Sequence, residues 1–320
     1  MAGKTRTKVF LLNNKTCSNI LVFHRIYSEG LHVFADGLTQ KKFSKKLQFA
    51  KKIRKFGDVE ETYSSSSSED ECKRKASITF DDGYLDNYEL ALPVLQKHNL
   101  SATFFIASGY LNGGWMWNDG IIEAITKTTK KELDLSALNY GVFNVCLSAE
   151  KKTCIDFLLG EIKYLSPSNR TELARHILDV ADVDEPKDLM MTSEQIKLMH
   201  KAGMEIGGHT VNHPILTSVD KATARREIFE NKEYLESLIG EPIYSFAYPN
   251  GKPGKDYGPE HVAMVKEAGY SCAVSTAWGR VGPESDPFQL PRFTPWDRNP
   301  WKFMLRLLFQ RFDNTNCESV

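Results

Sequence analysis

Asp81 and Asp82 stand side by side immediately before Gly83, and His209 and His213 lie four residues apart behind Gly207 and Gly208. Two histidines and one carboxylate can hold a divalent metal while leaving coordination positions open for water and substrate. A second carboxylate beside them is suited to take a proton from that water. Asp82, His209 and His213 are therefore candidate ligands, and Asp81 is the candidate base. Each motif also has a plainer reading: Asp-Gly is a common turn dipeptide, and a histidine is most often a hydrogen-bonded structural residue. A helical His-Glu-x-x-His site is excluded, because position 210 is Thr and no Glu lies between the histidines. The Gly-Gly pair before them and Pro214 after them favour a loop or turn at a strand end.

The elements that must position these residues are short apolar runs. Asn19 to Phe23 (NILVF), Ser77 to Phe80 (SITF), Thr103 to Ala107 (TFFIA), Met204 to Gly207 (MEIG), Ile243 to Ala247 (IYSFA) and Cys272 to Ser275 (CAVS) read as buried strands. Helical patterns over Asn87 to His98, Ser193 to Ala202, Ala222 to Ile239 and Pro259 to Ala268 alternate with them. Repeated strand-helix units predict parallel strands, in a barrel or an open sheet. Within one domain spanning 1–320, a helical insertion is expected over 128–190, with Lys151 to Tyr164 and Thr171 to Val180 as its best helices. The serine-rich, charge-blocked stretch predicts a mobile loop over 60–76.

With 41 Lys+Arg against 41 Asp+Glu, the chain has no global positive field of the kind that holds nucleic acid. Its 41% hydrophobic content supports a large core and excludes global disorder. No run approaches the roughly 20 apolar residues of a membrane span. Val9 to Leu12 is too short for a secretory signal core, which predicts a cytoplasmic protein, or one at the cytoplasmic face of a membrane, unless a leader has been removed. Six cysteines without a C-x-x-C pair read as reduced thiols. Lys41 to Phe56 carries eight basic residues in sixteen positions, with Phe43, Leu47, Ala50 and Ile53 on one stripe. It reads as a surface helix with a cationic face, or as a peripheral contact with anionic membrane. No obligate protein partner is evident, and phosphate-binding loops, dinucleotide fingerprints and serine-hydrolase elbows are absent from the sequence.

TFDDG (Thr79 to Gly83) with HTVNH (His209 to His213) resembles the first two motifs of the polysaccharide deacetylases, the NodB-homology or carbohydrate esterase family 4 group. ILVFHRI (Ile20 to Ile26), SFAYPNG (Ser245 to Gly251) and LPRFTPW (Leu290 to Trp296) also fit, in family order, and are most like the exopolysaccharide or poly-N-acetylglucosamine branch. The resemblance covers about Asn19 to Trp301. It implies an α/β fold, a distorted (β/α) barrel with fewer than eight strands. It also implies one divalent metal, Zn²⁺ foremost with Co²⁺, Ni²⁺ or Fe²⁺ also suited, and removal of N-acetyl groups from an amino sugar in a polysaccharide or glycoconjugate. Asp81 is then the base, and Asp82, His209 and His213 are the ligands. The loop from Tyr248 to Gly251 supplies substrate contacts, with the Asn250 N–H facing the oxyanion.

The chain departs from the family pattern twice. Ala247 stands where many members carry Arg, so Arg292 is expected to orient Asp81 instead; a surface salt bridge is its plainer role. No histidine follows His261, so the late Leu-x-His acid is missing. His24, at the end of the NILVF strand, fits the acid position, or it hydrogen-bonds Asp86 or Glu29. Trp296 is the expected sugar-stacking face. Hydrolysis of another non-peptide amide on the same fold, or glycan binding without turnover, are the alternative functions.

Overall fold

The computed structural model describes residues 18–29, 37–64, 75–294, 301–303 and 307. Seven short strands form a parallel sheet curled almost into a closed ring. Their order is β1 (Asn19–Phe23), β3 (Lys75–Phe80), β4 (Thr103–Ile106), β7 (Glu205–Gly208), β8 (Ser245–Ala247), β9 (Cys272–Trp278) and β10 (Leu290–Arg292). The two-residue β2 (Lys55–Phe56) pairs with the start of β3. The ring is brought round by a bridge between Leu21 and Phe293, with Val22 N–H donating to Phe293 O (3.0 Å) and Phe293 N–H to Ile20 O (2.7 Å). The register between β9 and β10 slips between Leu290 and Arg292. This is the distorted (β/α) barrel with fewer than eight ring strands.

Alternation along the strands separates two cores. Ile78, Phe80, Phe104, Ile206, Phe246 and Ala273 join helix side chains such as Phe43 and Leu47 in the main cluster between ring and helices. Ile20, Phe105, Ala247, Val274 and Leu290 form a separate cluster that fills the ring. Phe80 stacks on Phe104 at 4.9 Å and on Phe23 at 5.4 Å, tying three neighbouring strands together on the helix side. Along β3, the opposite parity sends Ser77, Thr79 and then Asp81 toward the ring interior.

The helices are α1 (Gln40–Ala50), α2 (Val59–Ser64), α3 (Leu92–Lys97), α4 (Trp117–Lys127), α5 (Ser148–Ile162), α6 (Pro167–Ala181), α7 (Ser193–Lys201), α8 (Lys221–Ile239) and α9 (Pro259–Glu267). Several differ from their sequence patterns. The basic helix stops at Ala50, because Arg54 turns inward toward Asn19 Oδ1 (3.4 Å) and residues 55–56 become β2. Lys46 is buried over the Phe303 ring (5.4 Å), so it lies outside the cationic face. The crossover helix after the Asp pair opens with a π-helical turn over Asn87–Ala91, next to Pro93, which has no N–H to donate. Of the expected loop over 60–76, residues 60–64 are in α2 and 75–76 in β3; the rest lies outside the described residues.

The insertion between β4 and β7 is more than helices. It includes α4, a hairpin of β5 (Glu132–Asp134) and β6 (Val142–Asn144), and then α5 and α6. Asn139 and Gly141, both at positive φ (65° and 76°), make the hairpin turn. The insertion has its own core, with Ile121, Ile125, Leu133, Ile155, Leu158 and Ile177 among its buried residues.

Candidate active site

Both acidic residues of the DDG turn reach one pocket because the backbone turns between them. Asp81 N–H still bonds Phe23 O (3.0 Å) as a strand residue would. Asp82 then adopts φ 79° and Gly83 φ 95°. A left-handed non-glycine residue costs roughly 1–3 kcal/mol, a cost the surrounding bonds offset. Ala107 N–H donates to Asp82 O (3.3 Å), Met191 N–H to Gly83 O (3.0 Å) and Leu85 N–H to Leu189 O (2.8 Å), so the returning end of the insertion clamps the turn.

The histidine turn is held from two sides. A Cβ on Gly207 would come within 2.6 Å of the Phe105 ring and 2.9 Å of Ser245 O, so only glycine lets β7 pack there. Beyond it, Thr210 (φ 64°) and His213 (φ 49°) are left-handed. Two polar residues in the buried stripe of α8 absorb this strain. Glu227 accepts from Val211 N–H (2.9 Å), Asn212 N–H (2.7 Å) and Asn212 Nδ2 (2.8 Å). Asn231, fully buried, accepts from His209 N–H (3.0 Å) and donates to Ile106 O (3.0 Å), Ser108 Oγ (2.8 Å) and Thr210 O (2.6 Å). Sequence reading missed both. Their signal is a Glu and an Asn, four apart, among the inward positions Ala224, Ile228 and Leu235 of an amphipathic helix.

The two turns bring Asp82 Oδ1 to 3.4 Å from His209 Nε2 and 3.5 Å from His213 Nε2. One ligand atom from each residue falls within 4.8 Å of the others. His209 Nδ1 lies 2.7 Å from Ala247 O, an acceptor only, so Nδ1 carries the proton and Nε2 presents its lone pair to the pocket. Asp82 Oδ1 is buried without a hydrogen-bond partner. A tetrahedral ion with bonds of about 2.0–2.1 Å needs ligands about 3.3–3.4 Å apart; the donor set fits such an ion. Burial opposes ionisation of Asp82, but the rings of His209, His213 and His24 overcome it and hold the carboxyl well below its usual range. Burial, reinforced by neighbouring His209, pushes His213 down to about 3, so its imidazole is neutral and available as a ligand. His209 is drawn upward, against its burial, by Asp82 and Asp81.

Asp81 receives a two-pronged clamp. Arg292 Nη1 and Nη2 each donate to one of its oxygens at 2.7 Å, with Nε bonded to Ser275 O (2.9 Å) and Nη1 to Thr79 Oγ1 (3.3 Å). The pair is almost wholly buried, with Arg292 at 1% and Asp81 at 2% exposure, so Arg292 is no surface salt bridge. Burial alone would raise Asp81; the Arg292 charge and hydrogen bonds outweigh it and lower it. His24 stands at the mouth, half exposed, with Nε2 3.9 Å from Asp81 Oδ2. Neither expected acidic partner holds it: Asp86 takes Arg25 Nε (2.7 Å) and Ile26 N–H (3.0 Å), and Glu29 takes Lys41 N–H (3.2 Å). Asn87 Nδ2 donates to His24 O (2.9 Å) and fixes that backbone.

The loop after β8 corrects one expectation. The Tyr248 ring is fully buried, stacked on Tyr257 at 3.8 Å, and its N–H is bonded to Val274 O (3.2 Å). Tyr248 therefore offers the cleft neither ring nor N–H. Asn250 is left-handed (φ 59°) with its carbonyl accepting from Thr276 Oγ1 (2.6 Å), and its N–H makes no hydrogen bond among the described residues. Trp296 lies outside the described residues.

The polysaccharide deacetylase family model matches residues 68–133 and 168–273, and the chain belongs to that family. YxkH of Bacillus subtilis (strain 168), which carries a polysaccharide deacetylase name, is 21% identical over 215 residues, 67% of this chain. The chain spans about half the length of that curated relative (49%). Among solved structures, the fold is similar to the Streptococcus pyogenes deacetylase PplD in complex with acetate, with a TM-score of 0.61 at 19% identity over 92% of this chain and 99% of that one. IcaB from Ammonifex degensii follows at 0.56 and 16%, covering 90% and 97%. The BpsB deacetylase domain from Bordetella bronchiseptica superimposes at 0.52 and 14%, covering 87% and 96%.

Proposed function

We propose that this chain is a metal-dependent de-N-acetylase that removes acetyl groups from an amino sugar in a polysaccharide or glycoconjugate. The observation that carries the reading is the convergence of Asp82 Oδ1, His209 Nε2 and His213 Nε2 beside a carboxylate clamped by a buried arginine. These three atoms would hold one divalent metal, Zn²⁺ suiting the two-histidine, one-carboxylate set. When bound, the metal supplies Lewis acidity toward the acetamide carbonyl and toward water.

The rest falls to the protein's own groups. Asp81, kept ionised by Arg292, accepts the proton of the attacking water. His24, within 3.9 Å of Asp81 and open to solvent, delivers a proton to the departing sugar nitrogen. The Asn250 N–H stabilises the oxyanion. Family membership supports an N-acetylated carbohydrate as the substrate, and the resemblance of ILVFHRI and LPRFTPW to the exopolysaccharide branch favours an exopolysaccharide.

The placement we favour is the cytoplasm or the cytoplasmic face of a membrane. No helix of the described residues is long and apolar enough to cross a membrane. Exposed Lys41, Lys42 and Lys45 on α1 support a peripheral contact with anionic lipid.

Acetate release from N-acetylglucosamine oligomers tests the function, measured after chelation and again with added Zn²⁺. Release should return with the metal and be lost in Asp82→Ala and Asp81→Asn, with Asp81→Asn still binding metal. Full activity in Asp81→Asn would remove it as the base, and metal binding without release would point to a different amide.

A further inference from the structure

A groove of about 840 Å³ runs from the histidine turn to the insertion. Asn212 and Pro214, which flank His213, form one end, and the first turn of α6 forms the other. Tyr110, Trp115 and Trp117 line it, and Asn212 and Pro214 place it beside the candidate ligand His213. Tyr110 OH donates to Asn212 O (2.8 Å), which ties this wall to the histidine turn.

Arg170 lines the same groove and is 97% buried, at 3% exposure. Its Nε has no hydrogen-bond partner, and its one polar contact is a long bond to Lys163 O (3.4 Å). Among the described residues no carboxylate is in an ion pair with it, and the Trp117 ring lies 5.4 Å from its Cζ. The other charges in the groove are accounted for. Glu227 is saturated by the histidine turn, Arg175 is paired with Glu185 (2.9 Å), which also accepts from Trp115 Nε1 (3.1 Å), and Glu172 stands exposed at the rim. A buried guanidinium without a counter-charge is costly. Pro167 and Ser168 add the positive end of a 15-residue helix to the same wall.

We infer that this groove is a subsite for an oxyanion carried by the glycan next to the acetylated sugar, with Arg170 as its counter-charge, so that the substrate class is an acidic, N-acetylated glycan. The inference rests on the deacetylase reading for the acetylated sugar alone. A carboxylate of a uronic acid and a phosphate ester share the chemistry that Arg170 and the α6 terminus recognise, and the aromatic faces pack on the sugar rings between.

The test is calorimetric binding to the metal-free full chain at low salt. The ligands are a neutral N-acetylglucosamine tetramer, an oligomer alternating N-acetylglucosamine with glucuronate, and a tetramer carrying a 6-phosphate. At least one acidic oligomer should bind about tenfold or more tightly than the neutral one, the worth of a charge-assisted hydrogen bond. Arg170→Gln should erase that preference while its melting curve stays cooperative. Equal affinities in the unaltered chain overturn the inference whether or not the variant folds, as does a preference that survives in Arg170→Gln. Binding and acetate release are scored apart. Acid preference without release defeats the deacetylase reading and leaves the subsite, and release without preference does the reverse.

Discussion

Replacing Arg292 with Met isolates what the clamp does for Asp81. The substitution deletes two 2.7 Å bonds to the carboxylate and the Nε bond to Ser275 O (2.9 Å). It leaves a carboxylate of 2% exposure without a counter-charge. Removing one partner of a buried pair costs about 3–5 kcal/mol, and the shape of Met recovers little of the hydrogen bonding. Urea unfolding of the metal-free chain at pH 7, followed by tryptophan fluorescence, should show that loss. If the cost arises from the stranded charge, then Asp81→Asn added to Arg292→Met should restore about 2–3 kcal/mol, since the amide has no charge to compensate. The pH dependence should also shift. In the unaltered chain Asp81 titrates below its unfolded value, so its contribution is present above the unfolded pKa and lost as pH falls through the folded one. In Arg292→Met only His209 and His24 still oppose burial, the carboxyl moves up, and the variant gains stability relative to the unaltered chain on acidification. A loss under about 1 kcal/mol, or a double variant no more stable than Arg292→Met, would refute the argument.

Asn231→Ala should cost about 2–4 kcal/mol, because His209 N–H loses its acceptor, Ile106 O loses a donor and Thr210 O keeps only the long bond from Ser108 N–H (3.3 Å). It should also weaken Zn²⁺ affinity roughly 10–100-fold in chelator competition, whereas unchanged affinity would mean the turn holds without it. Glu205 is pushed up to about 7, by burial first and then by Asp58, against its hydroxyl bonds. Its protonated form therefore favours folding below the unfolded pKa, and that stability is lost as pH rises through about 7. Glu205→Gln should abolish a fall of about 3 kcal/mol between pH 4.5 and 7; a variant with the parental pH profile would count against it. Exposed Lys41 and Lys45 predict sedimentation with anionic vesicles at low salt, weakened by reversing both charges to Glu. No sedimentation of the unaltered chain would remove the membrane contact.

The sequence states chemistry well where a residue type has few other uses and poorly where it depends on a partner far along the chain. Asp81, Asp82, His209 and His213 were legible because a paired acid before glycine and paired histidines after Gly-Gly are uncommon, and both interrupt strand patterns. β1, β3 and β4 were legible as apolar runs because the ring and its helices bury both faces. β10 was not, since three residues of Leu-Pro-Arg carry no period, and the strand exists because Phe293 bridges back to Leu21. The same seam explains Arg292: β10 returns beside β1, which places a guanidinium 211 positions from Asp81 against it. Tyr248 was misread for the converse reason. The family resemblance puts the loop from Tyr248 to Gly251 against the substrate, yet Phe246 and Tyr257 enclose the Tyr248 ring in the core. Glu227, Asn231 and Arg170 share a subtler signature, a polar or charged side chain inside the buried stripe of an amphipathic helix. Two of these are saturated by the histidine turn and one is left without a counter-charge. That contrast separates a residue that shapes the site from one that waits for a ligand, and only the folded chain displays it.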